Sequence, residues 1–324
     1  MSEEEGQGLC PWTPLGPSRE GVLRTTAPDP HSFALPNTEA HDPRTDDLDQ
    51  WSSETAINAL WEGQLAAVAA VRPALPAIAA AAEQAAERLR TTGRLIYCGA
   101  GTSGRLGVLD ASELPPTFDW PPERLHHLIA GGPQAITRSV EDAEDDTNQA
   151  ATDVAEANIQ TADVLIALAA SGATPYTIAC TRLARARGAL TIGIANSPAA
   201  PLLTACEHAI LVETGAEPIA GSTRMKAGTS QKVVLTLLST TIMLRLGRVW
   251  RGRMVDMAAR NEKLRRRALR MVRDLTGANE PEAAAALGCA GGKVKLAILL
   301  LHGMDIETAT AELEEHGSKL GKII

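Results

Sequence analysis

Leu95-Ile96-Tyr97-Cys98-Gly99-Ala100-Gly101-Thr102-Ser103-Gly104-Arg105-Leu106-Gly107-Val108-Leu109-Asp110-Ala111-Ser112-Glu113-Leu114-Pro115-Pro116-Thr117 is the most informative run in the chain. It reads as a buried strand over Leu95–Cys98, a glycine and hydroxyl loop, and a short helix that ends on a carboxylate before two prolines. A tight loop feeding a helix N-terminus is a ready anion site, because free backbone N–H groups and the helix dipole face the ligand. A regular helix then places Glu113 roughly 15 Å further on, at about 1.5 Å per residue. That reach suggests a neighbouring subunit's pocket as its destination. Anion grip and a displayed carboxylate together point to chemistry on a phosphorylated small molecule.

Working outward, the texture on the C-terminal side is one of short apolar runs separated by helical patterns. Candidate strands are Leu95–Cys98, His127–Ala130, Val164–Ala169, Thr191–Ala195 and Ala209–Val212. Such alternation implies parallel strands covered on both faces. The predicted fold is α/β: a doubly wound five-stranded parallel sheet with right-handed crossovers and flanking helices. Two alanine-rich helices, about 54–71 and 74–91, precede it, and Pro73 and Pro76 break them. A long helix from Lys226 to Leu246 follows, apolar on most of its circumference, and so buried or at a subunit interface. Small helices fill 254–324, with a compact unit at 281–316. The expected domains are a mobile tail at 1–37, a sheet domain with its N-terminal helices at 38–250, and a C-terminal helical region at 251–324.

Composition limits the function classes. The 324 residues are 44% hydrophobic but only 3% aromatic, so alanine and the aliphatics fill the core. A net charge of −8 argues against a nucleic-acid partner, which demands clustered Lys and Arg. No run of about 18 apolar residues offers a membrane span. The start, Met-Ser-Glu-Glu-Glu, is acidic and carries no secretory pattern. Cys10, Cys98, Cys180, Cys206 and Cys289 form no CxxC pair and fit reduced thiols of a cytoplasmic protein. His126 and His127 would face opposite sides of a strand, and no His, Cys and acid cluster has ligand spacing, so no metal is expected.

The loop Gly99–Gly104 lacks the lysine of a nucleotide P-loop. It satisfies G-x-G-x-x-G, yet no acidic residue ends a strand about 20 positions on, so the dinucleotide reading is weak. Its hydroxyls, Thr102 and Ser103, favour a small phosphate or sugar over a plain strand-to-helix turn. A second loop, Ala169-Ala170-Ser171-Gly172-Ala173-Thr174-Pro175, follows the strand at 164. Pro175 suits a first helical turn, and Ser171 and Thr174 are free to bond an anion. Two such loops at carboxyl ends of parallel strands stand where open α/β sheets bind ligands. Glu113 and Glu144 are the candidate acid and base. Each also has a plainer reading, as a solvent-facing acid at a helix end and as part of the acid-dense run Val140–Asp146. Arg224 and Lys226, before the long helix, either neutralise an anionic substrate or face solvent while Ser222 or Thr223 caps that helix.

Taken together these residues resemble the N-acetylmuramic acid 6-phosphate etherases of the sugar-isomerase (SIS) domain superfamily. The resemblance runs from about Thr38 to the C-terminus. It is carried by Thr45–Asp49, Gly93–Pro116, Leu128–Gly132, Val140–Asp146, Ile219–Thr229 and Asn261–Leu264. It implies a cofactor-independent lyase, usually a homodimer, that serves peptidoglycan recycling. Its reaction cleaves the D-lactyl ether of N-acetylmuramic acid 6-phosphate to N-acetylglucosamine 6-phosphate and D-lactate. The resemblance makes Glu113 the proton donor and Glu144 the other active-site acid. It makes Thr102, Ser103, Ser171 and Thr174 phosphate contacts. Gly172 lies in their loop, and Arg105 or Lys226 is, apart from the resemblance, the candidate cation for the lactate carboxylate. The last helices resemble a small ubiquitin-associated-like bundle. Two departures stand out: Leu114 replaces a frequent Cys, and Asp142 a frequent Gly. A related reading is a non-catalytic sugar-phosphate regulator similar to glucokinase regulatory protein. A sugar-phosphate aldose–ketose isomerase would leave the acids of 140–146 unexplained.

Overall fold

The computed structural model describes residues 37–257, 259 and 261–324. The expected tail therefore lies outside the described residues, apart from Asn37, as does Cys10.

Five strands, β1 (Leu95–Gly99), β2 (Leu125–Ile129), β3 (Val164–Leu168), β4 (Leu190–Ala195) and β5 (His208–Leu211), form one sheet in the order β2-β1-β3-β4-β5. Every pairing is parallel, with Tyr97 opposite His127 on one side and Ile166 on the other. All five expected strands are present. The largest boundary difference is at β2, which starts two residues early at Leu125.

The period-two rule sorts the side chains. Leu95, Tyr97, Val164, Ile166, Leu168, Ile192 and Ile194 join one buried cluster. Their neighbours Ile96, Cys98, Leu165 and Ala167 join the cluster on the opposite face. The first face is covered by α2 (Leu75–Arg88), α3 (Gly101–Phe118) and α7 (Lys226–Arg245), with α1 (Ser53–Ala69) packed on α7. The second face is covered by α4 (Thr147–Glu156), α5 (Pro175–Ala186) and α6 (Pro201–Ala205). The long helix α7 buries Val234, Leu235, Leu238, Ile242 and Met243, as its apolar circumference implied.

One stretch is more apolar than anticipated. Ser53–Arg88 contains an 18-residue window of mean hydropathy 1.7, of which a third is buried. Much of that hydropathy comes from alanine. A 3₁₀ turn at Arg72–Ala74 divides it, and α2 lays Ile78, Ala81, Ala82, Ala85 and Ala86 into the core.

The long sequence run also ends differently from its reading. The helix does not stop at Glu113 but continues through Pro115 and Pro116 to Phe118, where Asp119 closes it in the left-handed region. Leu114 and Phe118, buried one turn apart, pack this last turn against the core despite the two missing proline donors.

Beyond α7 a short hairpin, β6 (Val249–Trp250) and β7 (Arg253–Met254), was not foreseen. Helices α8 (Glu262–Thr276), α9 (Glu280–Cys289), α10 (Val294–Leu301) and α11 (Ile306–Glu315) follow. They share a third core built on Met271, Val272, Ala297, Ile298 and Leu299. A capping box between Asn279 and Glu282 starts α9.

Candidate functional site

In this strand order the chain direction across the sheet reverses between β1 and β3. Crevices at the carboxyl ends of strands on either side of such a point are where open α/β sheets hold ligands. The loops leaving β1 and β3 are the two hydroxyl-bearing loops. They line a common cavity of about 390 Å³ containing Thr102, Ser103, Ser171 and Thr174.

The first loop is short because Gly99 and Gly104 touch. A Cβ on Gly104 would lie 2.7 Å from the Gly99 carbonyl oxygen. The helix α3 therefore begins directly on the strand, with Ala100 as its N-cap and no side-chain cap. The amides of the first turn have no partner within the helix and belong to residues that line the cavity. The second loop turns at Gly172, with φ +67°, where a Cβ would stand 2.2 Å from the Cβ of Ala200. Gly172 is thus required for shape. The hydroxyl of Ser171 accepts from Ala173 N at 3.2 Å. Thr174 is the N-cap of α5 and makes no side-chain cap bond, and Pro175 occupies the first turn as expected.

Glu144 and Asp145 face the same cavity from the 3₁₀ turn Ala143–Asp145. Asp142 before them takes φ +59°. That left-handed conformation suits glycine best and aspartate tolerably, which gives the departure noted above a physical sense. The sequence marks neither of two further contributors as a site residue: it offers Thr223 only as a candidate helix cap and gives Glu39 no role. Glu39 lines the cavity, carried by a 3₁₀ turn whose Thr38 carbonyl accepts from Gly221 N at 3.1 Å. Thr223 lines it from the loop before α7. No local pattern marks Glu39, since the crossing of the distant segments at Thr38 and Gly221 brings it there.

Other expected residues stand elsewhere. Glu113 is exposed on α3 and does not line this cavity. One turn before it, Leu109 is 45% exposed. Lys226 is buried, gives its Nζ to the Ala216 carbonyl at 2.8 Å, and lines a neighbouring cavity with Arg44 and Glu62. Arg105 donates to the carbonyls of Ala135 and Arg138, both at 2.9 Å. Arg224 is exposed. The cap of α7 is neither Ser222 nor Thr223. Buried Glu217 accepts from Lys226 N at 2.8 Å and Ala227 N at 2.9 Å, a carboxylate at the positive end of a helix dipole.

Beneath the exposed face of α3, Asp110 is buried. It accepts from Tyr97 Oη at 2.9 Å and Ser239 Oγ at 3.3 Å, with Lys232 Nζ 3.8 Å away. Burial pushes its carboxyl above the usual range against these partners, and also pushes the Tyr97 phenol up. The arrangement anchors α3 one turn before Glu113. Among the described residues no three His, Cys, Asp or Glu side chains gather as metal ligands would.

Comparison with known proteins places this geometry. Residues 77–187 match the glucokinase regulatory protein N-terminal SIS domain, and residues 139–241 match the SIS domain. An N-acetylmuramic acid 6-phosphate etherase of Deinococcus radiodurans is 50% identical over 89% of this chain and 94% of its own. One of Streptomyces avermitilis is 48% identical over 87% and 91%. The chain belongs to the N-acetylmuramic acid 6-phosphate etherase family. A crystal structure of a putative phosphosugar isomerase involved in capsule formation from Bacteroides fragilis shares the fold. It has a TM-score of 0.50 at 20% identity, and covers 65% of this chain and 98% of its own. The Deinococcus radiodurans etherase matches 89% of the chain, whereas the regulatory-protein match covers only residues 77–187. The etherase reading is therefore favoured over the regulator.

Proposed function

We propose that this chain is a lyase that cleaves the D-lactyl ether of N-acetylmuramic acid 6-phosphate. The products are N-acetylglucosamine 6-phosphate and D-lactate, in the recycling of peptidoglycan amino sugars. The observation that carries the reading is Glu144 opening onto the cavity shared by both hydroxyl-bearing loops, in a chain half identical to etherases along most of its length.

The phosphate sits on the first-turn amides of α3 with Thr102, Ser171 and Thr174. In the open-chain sugar the hydrogen on C2 lies beside the aldehyde and is acidic. The Glu144 carboxylate removes it. The electron pair moves into the C2–C3 bond and expels the lactyl oxygen from C3, and Glu113 protonates that oxygen. Water then adds hydroxide at C3, Glu144 returns its proton to C2, and Glu113 takes the remaining proton from the water. Two carboxyl groups used in opposite protonation states suffice.

The exposed position of Glu113 supports a homodimer in which it enters the partner's cavity. Ile57, Trp61, Leu65 and Val68, spaced along one face of α1, are 47–63% exposed, an apolar stripe of the kind that marks an interface. A cytoplasmic location fits the free thiols of Cys98, Cys180, Cys206 and Cys289. Residues 251–324 form the ubiquitin-associated-like region, supported by their separate core.

The test is lactate release from N-acetylmuramic acid 6-phosphate in heavy-oxygen water. Lactate together with label at C3 of the sugar product is expected. Tight sugar-phosphate binding with no lactate would overturn the reading in favour of the regulator.

A further inference from the structure

Behind the amino end of α3 lies a chain of buried polar groups whose hydrogens have only one consistent arrangement. Asn196, immediately after β4, directs Nδ2 at the Val212 carbonyl, 3.0 Å away, and at Ser230 Oγ, 2.8 Å away. A carbonyl only accepts, so the nitrogen must face Val212 and Oδ1 must face the other way. Ser230 agrees, because its own hydrogen goes to the Ala227 carbonyl at 2.8 Å. Asn196 Oδ1 accepts from Gln231 Nε2 at 3.1 Å. The amide oxygen of Gln231 is thereby turned toward Ser103, 2.8 Å from its hydroxyl. That oxygen also only accepts, so Ser103 spends its single hydrogen on Gln231. Asn196, Ser230, Gln231 and Ser103 are 0%, 0%, 1% and 9% exposed, so water cannot readily offer an alternative.

Ser103 then has only lone pairs to present to the cavity. A phosphate dianion offers no hydrogen to meet them. We propose that Gln231 is a positioning residue that makes Ser103 a hydrogen-bond acceptor. In that role Ser103 receives an O–H or N–H of the sugar, and Thr102, Ser171, Thr174 and the α3 amides hold the phosphate. The inference rests on the sugar-phosphate reading above, and it revises the phosphate contact that the resemblance implies for Ser103.

The experiment measures binding of inorganic phosphate and of N-acetylglucosamine 6-phosphate by calorimetry on the full chain. Ser103→Ala should leave phosphate affinity within about twofold and weaken the sugar phosphate about tenfold, the effect of one lost hydrogen bond. Thr102→Val should weaken both. Gln231→Met, of similar size but with no acceptor, frees the Ser103 hydrogen. Phosphate should then bind severalfold tighter, and the gain should vanish in the Ser103→Ala/Gln231→Met double variant. Gln231→Glu, which keeps an oxygen toward Ser103, should not show the gain. Such a gain is not what a damaged fold produces. The proposal falls if Ser103→Ala weakens inorganic phosphate as much as Thr102→Val does, or if Gln231→Met binds phosphate no tighter than wild type while melting normally. Should Gln231→Met not fold, the Ser103→Ala arm decides alone. Failure of lactate release by the wild-type chain would overturn the proposed reaction and leave the phosphate measurements readable.

Discussion

The two ends of α3 differ sharply. At the amino end, Thr102 and Ser103 meet the β3–α5 loop and Glu144 within one chain, and Gln231 backs Ser103 from within the core. At the carboxyl end, Glu113 and Leu109 face outward, with the core contacts of that turn made by Asp110, Leu114 and Phe118 instead. One rigid helix thus carries two functional groups roughly 15 Å apart, too far to serve one sugar in a single copy. On the proposed reading, the binding half lies within one chain, and the second carboxyl group comes from another copy.

The largest test breaks that division. Glu113→Gln should melt as wild type does and lose lactate release by about 10²–10⁴-fold, the range of one general acid or base. Glu144→Gln should do the same. An equal mixture of the two dead variants, allowed to exchange subunits, should recover about a quarter of the wild-type rate, because half the sites in mixed two-fold dimers are intact. No recovery from proven mixed dimers would place both acids on one chain.

A smaller effect sharpens the claim that the amino-end pocket is built locally. Gly172→Ala asks for a Cβ at 2.2 Å from Ala200 in a left-handed backbone. The change should cost about 3 kcal/mol by strain and overpacking, read as a lower urea midpoint. It should also weaken inorganic phosphate binding. Normal stability with normal phosphate affinity would show that the loop does not depend on this turn.

Much of this was legible because its signals are local. The strands are apolar runs of four to six residues whose period sorts them to two faces, and the glycines that let loop and helix begin at once stand beside them. Glu144 was legible only as one acid among several. Three things were not. Glu39 reaches the cavity through a crossing of distant segments. Glu217 caps α7 from nine residues away, where Ser222 and Thr223 offered a nearer match to the capping pattern. The continuation of α3 through Pro115 and Pro116 depends on burial of Leu114 and Phe118, and packing outweighed a local rule that normally ends a helix.

The amino ends of the central strands, opposite the cavity, offer the finest test, since the cluster there is made within one chain and should be indifferent to dimerisation. Asp163, at the start of β3, accepts from Arg94 Nη2 at 2.6 Å, from Arg94 N at 2.9 Å and from Gln160 N at 2.8 Å. Burial alone would raise its carboxyl, but these donors prevail and hold it below the ordinary 3.8. Its contribution is therefore present above pH 3.8 and is lost as pH falls through the lower folded value. Asp110, beneath α3, has the opposite sign. Burial raises its carboxyl above 3.8, so the folded state holds the proton longer and stability declines as pH rises from 3.8 through that raised value. Asp163→Asn should cost about 2 kcal/mol at neutral pH, as loss of charge-assisted hydrogen bonds does, and the penalty should shrink on acidification below 3.8. Asp110→Asn should instead remove a decline on the alkaline side of 3.8. Urea titrations from pH 3 to 7, run at protein concentrations above and below dimer dissociation, separate the two. A concentration-dependent Asp163 penalty would contradict its assignment to the single chain. A concentration-dependent Asp110 effect would tie the anchor of α3 to the interface that Glu113 is proposed to cross.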